Sequence, residues 1–147
     1  MKVRQRIIDV HAHVIPGVDD GSRTMEESVE MLKRAADQGI VGVIATPHYS
    51  RRHVLKGLND SAKLLQQEIR KTYPKFRIFP GQETFYHDEL AQRLNEGKAY
   101  TMADSQYVLV EFMPSVSYEI LFQGIRKLVS NGYTPIPVSY THLRAHE

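Results

Sequence analysis

Apolar residues recur along the chain in two rhythms. Short β-branched runs alternate with longer stretches in which every third or fourth residue is apolar. Residues 7–10, IIDV, have the look of a buried parallel strand. Residues 24–38 predict a helix: Thr24 and Glu27 stand at capping-box spacing, Met25, Val29, Leu32 and Ala36 share a face, and Gly39 ends it. Residues 41–46, VGVIAT, read as a second buried strand ended by Pro47. A second amphipathic helix is predicted over 60–72 with Leu64, Leu65 and Ile69 inward. A third strand follows over 76–79, closed by Pro80-Gly81, and then a short helix over 88–95 that ends near Gly97. Residues 107–112, YVLVEF, form the fourth strand. The helix over 117–130 places Ile120, Leu121, Ile125 and Leu128 on its buried side and stops at Asn131-Gly132. A fifth strand covers 134–138. Strand and helix alternate throughout, which predicts an α/β fold of right-handed βαβ units around about five parallel strands.

Composition narrows the class. The 147 residues are enough for one domain with a core, and 41% hydrophobic with 24% charged residues suit a globular protein. A net charge of +2, with Lys and Arg scattered, argues against nucleic acid as a partner. The absence of cysteine excludes disulfides and Cys-based zinc sites and fits a reducing compartment. No stretch approaches the roughly 20 apolar residues of a membrane helix, and the N-terminus has no signal-peptide pattern. The expectation is a cytoplasmic protein with no direct membrane insertion, of open oligomeric state.

Chemistry enters at the strand ends. Strand one runs into His11-Ala12-His13 and the turn PGVDDG, strand two into Thr46-Pro47-His48, strand three into Gly81-Gln82-Glu83, and strand four contains Glu111 near its end. In parallel α/β folds the C-terminal strand ends share one rim, where active sites form. Six candidate metal ligands therefore converge: His11, His13, Asp20, His48, Glu83 and Glu111. Residues two apart in an extended segment point the same way, so His11 and His13 can grip one ion. Mixed imidazole and carboxylate ligands suit manganese, iron or zinc, and a carboxylate such as Glu83 can bridge two ions. Each signal is weak alone: an HxH is commonly incidental, Asp19-Asp20 fits an Asx-turn, and Glu83 could cap a turn. Glu111 in an apolar strand needs a partner. His53, His87, His142 and His146 lie off the strand ends and read as solvated. Arg51 and Arg52 lie in the polar loop after Pro47. Arg52 is a weak candidate for binding an anionic substrate, and a solvated loop is the blander reading.

The segments HAHVIPGVDDG, EESVEML, ATPHY, PGQE and LVEF closely resemble the tyrosine-protein phosphatases of bacterial capsule and exopolysaccharide operons, within the polymerase and histidinol phosphatase (PHP) superfamily. The resemblance runs over about residues 8–136. It implies the N-terminal portion of a distorted (β/α)7 barrel, with up to three metal ions, usually Mn2+, at its mouth. It also implies attack of a metal-activated hydroxide on phosphotyrosine, with a phosphorylated tyrosine autokinase as protein substrate. By matching motif, His11, His13, Asp20, His48, Glu83 and Glu111 would be metal ligands, and Asp19 is assigned no metal. Histidinol-phosphate phosphatase is the alternative within the superfamily; PGVDDG and PGQE favour the tyrosine phosphatase.

Beyond residue 138 the sequence departs from that pattern. The family continues with HPER, where this chain reads VSYTHLRAHE; Ser139 stands where histidine is expected and His142 where arginine is expected. The division expected is a partial phosphatase domain over 1–138 and an atypical, foreign-looking tail over 139–147. A barrel of this kind takes about 250 residues, so the five strands should not close. A weakly active or inactive piece, at most with a binding role, is the other expectation for the chain.

Overall fold

Local signals in the sequence become elements in the computed structural model, which describes residues 6–49 and 56–138. β1 (Ile7–Ala12) leads through the PGVDDG turn to α1 (Met25–Asp37). The Thr24 hydroxyl caps α1 by accepting the Glu27 amide at 3.1 Å, and the Glu27 carboxylate accepts the Arg23 amide at 2.7 Å. Gly39, with φ of +100°, turns the chain from α1 into β2 (Ile40–Ala45). α2 (Lys56–Arg70) and β3 (Arg77–Pro80) follow, and β2 pairs in parallel with β1 on one side and β3 on the other.

A second three-stranded parallel sheet completes the described residues. β4 (Glu83–Phe85) is followed by α3 (Leu90–Asn95), a 3-10 turn (Met102–Asp104), β5 (Tyr107–Glu111), α4 (Tyr118–Ser130) and β6 (Thr134–Pro137). Its order is β4-β5-β6. The two sheets are stitched at one point. Glu83 donates its amide to the Pro47 carbonyl at 3.0 Å and accepts the Tyr49 amide at 2.9 Å. Six strand segments thus replace the five expected. The chain leaves β3 at Pro80, turns through Gly81-Gln82 and resumes as β4, an edge strand of the second sheet. A three-residue strand is too short to carry an alternation that sequence could reveal.

Each sheet has its own core. Val14, Leu32, Val43, Leu65, Ile69 and Phe76 fill the space between β1–β3 and helices α1 and α2. Leu90, Leu94, Val108, Val110 and Leu128 do the same for β4–β6 with α3 and α4. Met25, Val29 and Ala36 pack against the first core as their spacing predicts. Three expectations of burial are corrected. β1 is not buried: Ile7, Ile8 and Val10 are each close to half exposed, because among the described residues β1 pairs with β2 alone. Leu64 on α2 and Ile120 on α4 are each 54% exposed. Their helical spacing is right, but the inward arc of each helix is narrower than the apolar stripe. Among the described residues neither sheet closes on itself. Among the described residues no helix is long and apolar enough to cross a membrane.

Candidate metal centre

The six residues picked from the strand ends meet at one place. His11 lies within β1 and His13 follows its end. The two are held by Thr46, a fully buried residue at the end of β2. Its hydroxyl accepts the Ala12 amide at 3.0 Å, and its own amide donates to the Ala12 carbonyl at 2.8 Å. The backbone between the two histidines is thereby pinned to the second strand. His48 follows Thr46-Pro47 on the segment stitched to Glu83. Glu83 opens β4 and Glu111 ends β5.

Glu83 is the hub. Its side chain is 4% exposed, and its Oε2 lies 3.1 Å from His11 Nε2, 2.9 Å from His13 Nε2 and 3.5 Å from His48 Nδ1. His11 Nε2 and His13 Nε2 are 3.1 Å apart. Two donors about 2.1 Å from a common divalent ion and at right angles to each other would be separated by about 3.0 Å. The spacing of these three atoms therefore fits such an ion. Glu83 also belongs to a second group with His48 and Glu111, whose Oε1 is 3.3 Å from His48 Nδ1. A third group gathers His13, Asp19, Asp20 and His48, with Asp20 Oδ1 3.4 Å from His48 Nε2. Each group shares at least one member with another, as neighbouring ions with bridging ligands require.

Electrostatics point the same way. Glu111 titrates above the usual carboxylate range, first because it is partly buried and then because the Glu83 carboxylate repels its charge. Asp19 behaves oppositely. Burial alone would raise it, but hydrogen bonds from His13 and from the Gly21 and His48 amides outweigh that and hold it below its ordinary value. Four carboxylates in one mouth repel each other unless cations or protons offset them.

Several participants were not singled out by sequence. Asp19, read only as part of a turn, is the inner carboxylate of the DDG pair with a side chain 5% exposed, while that of Asp20 is 83% exposed. Gly21 has no room for a side chain, since a Cβ there would lie 2.3 Å from the His13 carbonyl oxygen. His87, expected to be solvated, has both ring nitrogens buried and stacks on Tyr49 at 6.1 Å and 13°. Arg93 reaches the Tyr49 hydroxyl from α3 and so anchors the residue after His48. Thr46 and Tyr49 flank the Pro47-His48 pair in the sequence, and that position beside a candidate ligand is the signal that could have found them. Arg51, Arg52, His53, Ser139, His142, Arg144 and His146 lie outside the described residues.

Comparison with known proteins adds an independent line. A family described as "Capsular polysaccharide synthesis, CpsB/CapC" matches residues 7–143. The tyrosine-protein phosphatase YwqE of Bacillus subtilis is 29% identical over 137 residues, covering 88% of this chain and 52% of YwqE. The tyrosine-protein phosphatase CpsB of Streptococcus pneumoniae is 30% identical over 138 residues, covering 88% and 55%. A solved structure reported with YwqE and CpsB as "unique metal-dependent tyrosine phosphatases" matches with a TM-score of 0.81 at 30% identity, over 89% of this chain and 54% of that one. The chain spans about half the length of the relatives it matches.

Proposed function

Because the chain belongs to the CpsB/CapC family of capsular polysaccharide synthesis, we propose that it carries the metal-holding part of a divalent-metal-dependent protein tyrosine phosphatase. The observation that carries this reading is the position of Glu83. A nearly buried carboxylate oxygen lies within 3.1 Å of two imidazole nitrogens and belongs to two potential ligand groups at once. Such a residue suits bridging between cations, which would offset the cost of holding a carboxylate away from water.

His11, His13 and Glu83 would hold one ion; His48 and Glu111, with Glu83 shared, would hold a second; Asp20 with His48 would reach toward a third. Bound divalent ions lower the pKa of coordinated water and draw charge from phosphoryl oxygens. The chain's own residues also set the sign of the field. With Asp19, Asp20, Glu83 and Glu111 ionised, the metal-free mouth carries four negative charges and repels a phosphate ester. Two divalent ions would neutralise it and a third would make it attractive to a phosphate dianion.

The finer parts of the reading are Mn2+ as the metal, phosphotyrosine on a tyrosine autokinase as substrate, and a cytoplasmic site of action. Imidazole–carboxylate ligation supports Mn2+, and a chain without cysteine suits a reducing compartment. The test loads the purified chain with Mn2+, measures the metal retained, and compares phosphate release from a phosphotyrosine peptide, a phosphoserine peptide and histidinol phosphate. Retained metal with preference for the phosphotyrosine peptide supports the proposal. Failure to retain any divalent metal, or preference for histidinol phosphate, overturns it.

A further inference from the structure

The two aspartates of the DDG turn have divided roles. Asp20 extends outward, whereas Asp19 turns under the histidines, where three N–H groups converge on it. Its Oδ1 accepts the Gly21 amide at 2.9 Å, an ordinary Asx-turn bond. Its Oδ2 does something a turn does not need. It lies 2.9 Å from His13 Nδ1, six residues away, and accepts the backbone amide of His48 at 3.0 Å, 29 residues away. One oxygen atom thus ties the end of β1 to the segment following β2.

We infer that Asp19 is the positioning residue of this centre: it fixes His13 with the proton on Nδ1, so that Nε2 is turned toward Glu83 and a divalent cation, and it locks the His48 segment against the same point. The inference rests on the metal reading above for its purpose, but its geometry stands independently. An ionised carboxylate can only accept, so a hydrogen bond between Asp19 and His13 requires the hydrogen on Nδ1. The other nitrogen of His13 lies 2.9 Å from Glu83 Oε2 and 3.1 Å from His11 Nε2, where the ligand group gathers. Carboxylate support of a ligating histidine fixes its tautomer and orientation and raises its basicity, and losing it typically costs about 10–100-fold in metal affinity. Asparagine cannot replace Asp19 in full. It has a single acceptor oxygen for three donors, and its NH2 group would face one of them.

The test uses the 147-residue chain and long-range 15N–1H NMR of the imidazoles, without metal and with Zn2+ as a diamagnetic probe, alongside calorimetric titration with Mn2+. His13 is expected to carry a proton on Nδ1 in both states and to coordinate Zn2+ through Nε2. Asp19→Asn should lose the exchange-protected Nδ1 proton and bind Mn2+ about 10–100-fold more weakly, while Asp20→Asn, with the same change of charge, leaves the Nδ1 proton in place. His13 unprotonated at Nδ1 in the parent chain would overturn the inference, and that result does not depend on any variant folding. So would an Asp19→Asn chain with unchanged proton and unchanged affinity. If the parent chain shows the Nδ1 proton and its loss in Asp19→Asn but binds no metal, the positioning role stands and the metal reading falls.

Discussion

Glu83 and Glu111 are adjacent carboxylates whose charges oppose one another, and the consequence can be read from pH. Glu111 has a folded-state pKa above its unfolded value, so the native state binds more protons over that interval. Stability of the metal-free chain should therefore fall as pH rises through it. Glu111→Gln removes the repulsion. It is expected to raise the thermal midpoint of the metal-free chain at neutral pH and lower that of the Mn2+-loaded chain, both readable by calorimetry; a loss in both states would show that Glu111 serves packing alone. At the hub, Glu83→Ala should abolish most metal retention, measured as metal per protein. Asp20→Ala, at an exposed position with one contact at 3.4 Å, should cost much less. Equal losses would contradict the hub role of Glu83. The six clustered residues were legible in sequence because parallel strands all deliver their C-terminal ends to one rim. Asp19, Thr46 and Gly21 were not. Their contributions are a hydrogen bond to His13, a bridge between Ala12 and β2, and a close approach to the His13 carbonyl, and each depends on a partner distant in sequence or on a loop path.

At the scale of elements, the sequence indicated the four α-helices of the described residues, and a cap signal placed the start of α1, where the Thr24 hydroxyl accepts an amide three residues ahead; Ser117 caps α4 in the same way, a role not read from the sequence. Periodicity could not say how wide each helix's inward arc is. Leu128 and Ile120 look equivalent in the apolar stripe of α4, yet Leu128 is fully buried and Ile120 is 54% exposed. Leu128→Ala is expected to lower stability by about 2–5 kcal/mol and Ile120→Ala by less than about 0.5 kcal/mol. Denaturant unfolding of the two variants checks this, and similar losses would place Ile120 in a core. The same limit explains β1: its composition is that of a covered strand, but covering depends on what lies beside it. β4 escaped sequence reading for a different reason. At three residues, Glu83–Phe85, it is too short to carry an alternation that periodicity could detect.

For the molecule as a whole, the open flanks decide behaviour in solution. Among the described residues β6 has no partner on its outer edge, but that edge is blunted. Thr134 and Val138 donate their amides toward β5, so by strand alternation Pro135 and Pro137 face outward, where proline has no N–H to offer. Strand addition at β6 would lack donors at both positions. The apolar flanks are less protected: Ile7, Ile8 and Val10 on β1, and Tyr118, Ile120, Phe122 and Val129 on α4, are each about half exposed or more. Apolar surface of that kind drives association unless it is covered. The 147-residue chain is therefore expected to self-associate with rising concentration in sedimentation or light scattering, through these apolar faces rather than by strand pairing at β6. Replacing Ile120 and Phe122 together by serine should raise the monomer fraction and leave Mn2+ retention unchanged, because neither residue belongs to the ligand groups around Glu83. A chain that stays monomeric at every concentration would show that these faces are too small or too dispersed to hold a partner. Association that persists undiminished in the double variant would move the contact to the edge of β1, which among the described residues pairs with β2 alone.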